Sequence, residues 1–302
     1  MKRILVLLLI FFTNTYCIGQ VDIFDSVEDH YTTNNGVRIH YVTLGEGPVV
    51  LFVHGFPDFW YTWRDQMAVL ATDYKVLAVD LRGYNLSDKP EGVENYTFNV
   101  LVQDLRAIIL DNGERPVYLV AHDWGAAIAW RLAINYPQLI KKLVILSVPH
   151  PNAGDQISIP IESRKPSYVD RFVSEEFRNQ LTTNWLAAWV TDPKAKERYR
   201  EAFEKSDKDA MINYYKANAS TLENLNSEEF LQRSKVKLAN LTMPVLVIHG
   251  KNDPYLPISG HNNTWNFVDN ELTIEVLPDA GHFIQRDESG KVTQLIKTFI
   301  SN

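Results

Sequence analysis

The sequence predicts an α/β fold: a mostly parallel sheet with helices on both faces, interrupted late in the chain by a helical insertion. Three observations carry that prediction. Short apolar runs of strand length alternate with helix-period segments through the first 150 residues. Most of these runs are continuous rather than alternating, as in strands covered on both faces. The strand runs then stop at about residue 152 and return near 243. A chain of 302 residues, 45% of them hydrophobic, holds enough apolar material for one large core and an insertion.

The chain opens on Met1-Lys2-Arg3, followed by an unbroken apolar run at 4–12. That run is too short to cross a bilayer as a helix. It fits the apolar region of a secretory signal peptide, with Cys17 and Gly19 as the small residues ahead of a cleavage before Gln20. Residues 1–19 are therefore read as a signal peptide and the chain as secreted or periplasmic, with no stable membrane insertion once the segment is removed. An uncleaved membrane anchor is the bland alternative, and bulky Tyr16 disfavours a lipid anchor on Cys17. Cys17 is the only cysteine, so the mature chain relies on its core and not on disulfides. The formal charge is −7, and losing Lys2 and Arg3 makes it more acidic. No basic stripe is visible, which argues against nucleic acid as a partner. Asn-x-Ser/Thr sequons begin at Asn85, Asn95, Asn218, Asn240 and Asn262. They matter only in a host that glycosylates exported proteins.

Val37–Leu44 alternates apolar and polar residues, as a half-exposed strand does. The runs at 48–53, 74–80, 117–120 and 143–148 read as buried parallel strands, separated by helical patterns at 63–72, 99–111 and 126–136. Pro149 and Pro151 close the last of these strands. Residues 152–237 read as helices rich in aromatics, among them Tyr168, Trp185, Trp189, Tyr214 and Tyr215. The simplest reading is a helical cap over a core formed by 20–151 and 238–302. Strand patterns resume at 243–250 and 272–277, and 291–300 is an amphipathic helix. Internal repeats and low-complexity tracts are absent.

Reactive groups in such a sheet sit at the carboxyl ends of strands. Ala121-His122-Asp123-Trp124-Gly125 lies between a strand run and an Ala-rich helix, with small residues around a central reactive position. That is the layout of a nucleophile elbow, with Asp where serine is usual. A serine implies acyl transfer, whereas a carboxylate implies attack on an sp3 carbon and an alkyl ester on the enzyme. Asp123 is ionised at neutral pH and needs no base to attack. The ester then needs an activated water, for which His282, after the last strand, is the candidate base. Asp253 follows the run ending at Gly250 and is the candidate to orient His282. Asp279 is a rival for that role and reads as a loop residue. The N–H groups of Phe56, in His54-Gly55-Phe56-Pro57, and of Trp124 are the candidate oxyanion donors. His122 and His150 read as packed, and Asp80 and Arg82 as turn residues. Trp60, Trp63, Trp185 and Trp189 are explained equally by pocket lining and by packing.

Several segments resemble the epoxide hydrolases of the α/β-hydrolase fold: HGFPDFWYTWR at 54–64, DLRGYNLSDKP at 80–90, AHDWGAAIAW at 121–130, SVPHP at 147–151, GKNDP at 250–254 and AGHFIQRDE at 280–288. The likeness covers nearly the whole mature chain and includes the order nucleophile, acid, histidine. It implies an α/β-hydrolase fold with a helical cap and hydrolysis of a small apolar epoxide, with water, to a vicinal diol. It implies no cofactor and no metal. The family uses two cap tyrosines to hold and protonate the epoxide oxygen. Asn213-Tyr214-Tyr215-Lys216 is similar to the second tyrosine motif, with Tyr215 at the matching position, and Ser167-Tyr168-Val169 to the first. Neighbouring Tyr214 and Tyr215 point roughly 100° apart on a helix, so one of them faces the pocket.

The alternative within enzymes is a haloalkane dehalogenase, which forms the same aspartyl ester. Its leaving group is halide, so it needs N–H donors and no proton donor; Trp124 can serve as one, but Phe56 lacks the side-chain donor such enzymes usually place beside the His-Gly turn. A fluoroacetate dehalogenase needs an arginine where Trp124 stands. A non-catalytic hydrolase-like binding protein is the alternative from another class, and such proteins lose a catalytic position. Asp123 in place of serine disfavours an esterase. The sequence leaves the oligomeric state open.

Overall fold

The computed structural model describes residues 22–113, 115–153, 167–218 and 239–302. The expected signal peptide and part of the expected cap lie outside these residues.

Eight strands form one sheet in the order β1-β2-β4-β3-β5-β6-β7-β8. They are β1 Glu28–Asn34, β2 Val37–Leu44, β3 Val49–Val53, β4 Lys75–Val79, β5 Val117–His122, β6 Ile140–Leu146, β7 Val245–Gly250 and β8 Leu272–Leu277. β2 runs antiparallel to both neighbours, and the pairs from β4 to β8 are parallel. Every residue of β5 and β7 is buried, which is why these segments read as unbroken apolar runs. β2 alternates less than its sequence suggests, because His40 is buried between Asp80 and Asp29 at 2.6 and 2.8 Å.

β1 carries no apolar run, and nothing in its composition marked it as a strand. Its signal is the turn after it. Asn35 and Gly36 both take positive φ, 49° and 83°, as a two-residue hairpin loop requires. β6 ends at Leu146, short of the expected 148, because Ser147 turns into the left-handed region at φ 69°.

Helices α1 Arg64–Leu70, α2 Phe98–Asp111 and α3 Trp124–Asn135 connect the strands. α1 packs against the C-terminal helix Ser289–Ser301, and α2 packs against α3. After β6 the described residues contain only helices until β7: α4 Tyr168–Phe172, α5 Glu175–Gln180, α6 Thr183–Leu186, α7 Pro193–Lys205 and α8 Lys208–Asn218. Side-chain caps at Ser174, Thr182 and Asp192 start three of them. Aromatic contacts join these helices to the core. Tyr199 meets Phe59 edge-on at 4.9 Å, and Tyr215 meets Trp124 in the same way at 4.9 Å. Among the described residues no helix is long and apolar enough to cross a membrane.

Candidate active site

The elbow between β5 and α3 holds Asp123 at φ 51° and ψ −125°. A non-glycine residue occupies that region only under constraint from its surroundings. Here the constraint is a strand buried along its whole length running straight into a helix. The turn projects the carboxylate toward the His54-Gly55-Phe56 loop after β3. The approach is so close that a Cβ at Gly55 would lie 2.3 Å from Asp123 Oδ1, so only glycine fits. The Phe56 N–H then donates to Oδ1 at 2.7 Å. His54 secures this loop from behind: its Nδ1 donates to Gly55 O at 2.8 Å, and its Nε2 accepts from the Leu81 N–H at 3.0 Å.

His282 lies between two carboxylates. Its Nε2 is 3.2 Å from Asp123 Oδ2 and its Nδ1 is 2.7 Å from Asp253 Oδ2. The other oxygen of Asp253 accepts from the N–H groups of Tyr255 and Leu256, so a tight local turn fixes this carboxylate after β7. Asp279 is exposed and has no such contact. Burial works against protonation of His282, but the hydrogen bonds and charges of Asp123 and Asp253 outweigh it and raise its pKa to about 9. Asp123 is held below the ordinary carboxylate range. Burial acts against ionisation, and His282, with the Trp124 N–H among the other contributors, outweighs it.

A cavity of about 610 Å3 opens over these groups, with Asp123, His282, Tyr168 and Tyr215 in its wall. Tyr215 is 4% exposed and wedged edge-on between Phe56 and Trp124. Its neighbour Tyr214 points away, and its hydroxyl donates to Arg82 O at 2.8 Å. Burial first, and then the charge of Asp123, push the Tyr215 phenol well above its ordinary pKa, and Tyr168 shifts the same way for the same reasons. Both therefore stay protonated across the neutral range and can donate. Trp185 and Trp189 line the cavity, whereas Trp60 and Trp63 are buried in the core.

The structure thus brings together Asp123, His282, Asp253, Phe56, Trp124, Tyr215 and Tyr168. Asp80 pairs with His40, and Arg82 forms a two-pronged bond to Asp104 at 2.6 Å, both buried. His150 stacks on Phe267 at 4.7 Å. Sequence reasoning missed a pair of residues next to the site. Arg286 stacks on Trp189 of the helical segment at 3.3 Å, and its Nη1 lies 3.5 Å from the buried carboxylate of Asp58. Both stand in segments quoted above, Asp58 in 54–64 and Arg286 in 280–288, but nothing in the sequence pairs them.

Residues 48–289 match the family described as the alpha/beta hydrolase fold. Epoxide hydrolase 4 of Homo sapiens is 31% identical over 301 residues, covering 88% of this chain and 76% of that protein. The crystal structure of an epoxide hydrolase from Bacillus megaterium, in complex with an inhibitor, superposes with a TM-score of 0.78 at 31% identity, over 90% of this chain and 100% of that one. An epoxide hydrolase from Vigna radiata gives a TM-score of 0.77 at 27% identity, over 92% of this chain and 98% of that one.

Proposed function

Because the chain belongs to the epoxide hydrolases of the α/β-hydrolase fold, we propose that it converts an epoxide to a vicinal diol through an alkyl ester on Asp123. The observation that carries this reading is His282, placed 3.2 Å from the nucleophile and 2.7 Å from Asp253 beneath a cavity that also holds Tyr215.

In the first step Asp123 Oδ2, the oxygen facing His282 and not the one held by the Phe56 N–H, attacks an epoxide carbon. A C–O bond to the enzyme forms, the ring C–O bond breaks, and the departing oxygen takes a proton from Tyr215 or Tyr168. The phenols are suited to this because each is still protonated where the alkoxide appears. Esterification also removes the charge of Asp123. One of the two carboxylates holding the proton on His282 is gone, so its pKa falls and the imidazole becomes free to act as a base. In the second step His282 Nε2 takes a proton from water, and the oxygen adds to the ester carbonyl carbon. The N–H groups of Phe56 and Trp124 receive the developing oxyanion. Collapse breaks the acyl C–O bond, and the expelled oxygen takes the proton of the added hydroxyl, which releases the diol and restores the Asp123 carboxylate. His282 keeps the proton taken from water, as in the resting site, while the proton it lost on esterification has restored the phenol through solvent.

The test is a single turnover in heavy-oxygen water followed by mass spectrometry of the Asp123 peptide. Label is expected in that carboxylate. An unlabelled peptide after turnover would remove the ester from the mechanism. Export is part of the proposal and rests on the apolar run at 4–12 and the small residues before Gln20. N-terminal sequencing of protein recovered outside the cytoplasm is expected to begin at Gln20.

A further inference from the structure

The backbone carbonyl of His282 is a buried acceptor with two side-chain donors. His122 Nε2 lies 2.8 Å from it and Ser147 Oγ lies 2.9 Å from it. Both residues are fully buried. His122 ends β5 and immediately precedes the nucleophile, and Ser147 is the first residue after β6. A fully buried serine at φ 69° is uncommon and implies that surrounding contacts hold it there. Those contacts are present. The Ser147 N–H donates to Ile248 O at 3.0 Å, and its carbonyl accepts from His249 Nδ1 at 3.1 Å. The twist aims the hydroxyl at His282.

The donor role of His122 is fixed by its other nitrogen. A carbonyl only accepts, so Nε2 carries the proton. Gln285 Nε2 donates to Nδ1 at 3.3 Å, which leaves that nitrogen bare, and the same amide reaches Thr62 Oγ1 at 3.1 Å. Burial keeps the ring neutral by pushing its pKa down to about 4.

We propose that His122 and Ser147 are positioning residues for the second half-reaction: together they clamp the His282 carbonyl so that its ring stays between Asp253 and Asp123 when the ester replaces the carboxylate. The inference rests on the ester mechanism above. Esterification weakens the ring's tie to Asp123, and a base free to shift by an ångström loses much of its effect. The clamp ties the backbone of the base to the strand that carries the nucleophile, so it persists through that change. Attack by Asp123 does not use His282 as a base, so the two half-reactions separate the clamp from general folding.

Rapid-quench mass spectrometry would follow both steps in Ser147→Ala and His122→Phe. Ester formation is expected to stay within about twofold of the parent, while ester hydrolysis falls about 10-fold, so that ester accumulates. His122→Gln keeps an N–H donor and is expected to hydrolyse its ester faster than His122→Phe. Equal losses in both steps, or no loss in hydrolysis, overturns the proposal. A parent enzyme that forms no ester overturns the mechanism instead. In that case the downfield Nδ1 proton of His282, read by NMR without substrate, still decides the clamp. It is expected to exchange with water about 10-fold faster in Ser147→Ala, and an unchanged rate rejects the clamp.

Discussion

Tyr215 and Tyr168 share a cavity wall but are held differently. Tyr215 sits inside an eleven-residue helix, locked by the rings of Phe56, Trp124 and Phe172. Tyr168 opens a five-residue helix and is partly exposed. A fixed hydroxyl is the better placed acid, so Tyr215→Phe is expected to slow ester formation by about 100-fold and Tyr168→Phe by less. Stopped-flow measurement of the first step would check this, and the reverse ranking would reassign the donors. A second expectation concerns His282. Its pKa is about 9 in the resting site, despite burial, because two carboxylates hold the proton. Ester hydrolysis is therefore expected to gain rate through a midpoint lower than the one NMR titration gives for the free enzyme. Identical midpoints would mean that loss of the Asp123 charge does not release the base. Asp123, Asp253 and His282 were legible in the sequence because each follows a strand and belongs to a quoted motif. Ser147 stands in the quoted SVPHP segment, but its role was not legible, since a left-handed φ at a non-glycine residue leaves no compositional trace.

Among the elements, one contact between the helical segment and the core is both aromatic and ionic. Arg286 lies flat on Trp189 and faces Asp58, which is 2% exposed and only two residues from the oxyanion donor Phe56. Removing the cation leaves a buried carboxylate without its partner. Arg286→Met is expected to destabilise the protein by about 3 kcal/mol, and adding Asp58→Asn to recover most of that. Urea denaturation of the single and double variants would measure it, and additive losses would show that the two groups do not interact. The central strands were legible from continuous apolar runs. β1 was not, because an edge strand with half its residues in water needs no such run, and only the Asn35-Gly36 turn betrays it.

For the molecule as a whole, buried histidines set the acid limit. Burial pushes the pKa of His122, His150 and His261 from the ordinary 6.5 down to about 4. Between those values the unfolded chain binds protons that the folded chain refuses, so stability falls as pH falls through that window. The slope is up to about 1.4 kcal/mol per pH unit for each histidine. His282 acts at the other end: its raised pKa stabilises fully below 6.5 and that contribution is lost as pH rises toward about 9. The urea midpoint is expected to peak near neutrality and to drop from pH 6.5 to 4.5; a flat profile there would contradict this. The sequons also read differently in the fold. Asn85 is buried and donates to Asp80, and Asn218 donates to the Tyr96 and Tyr214 carbonyls and accepts from Phe98 N–H. A glycan on either side chain would break those bonds.

The two oxygens of Asp123 are not equivalent, since the Phe56 N–H holds Oδ1 at 2.7 Å while Oδ2 faces His282. Under the proposed chemistry Oδ2 makes the ester and departs with the diol, and an oxygen from water takes its place. Each product molecule then carries an oxygen that entered the enzyme one cycle earlier. If the Phe56 contact keeps the carboxylate from turning over, the isotopic record is one turnover deep. A pulse of heavy water would emerge in the next product and be gone from the one after. Rotation of the carboxylate would instead spread the label over several cycles. The protein is in this sense a one-step register, with the backbone hydrogen bonds to Asp123 deciding how cleanly it is read.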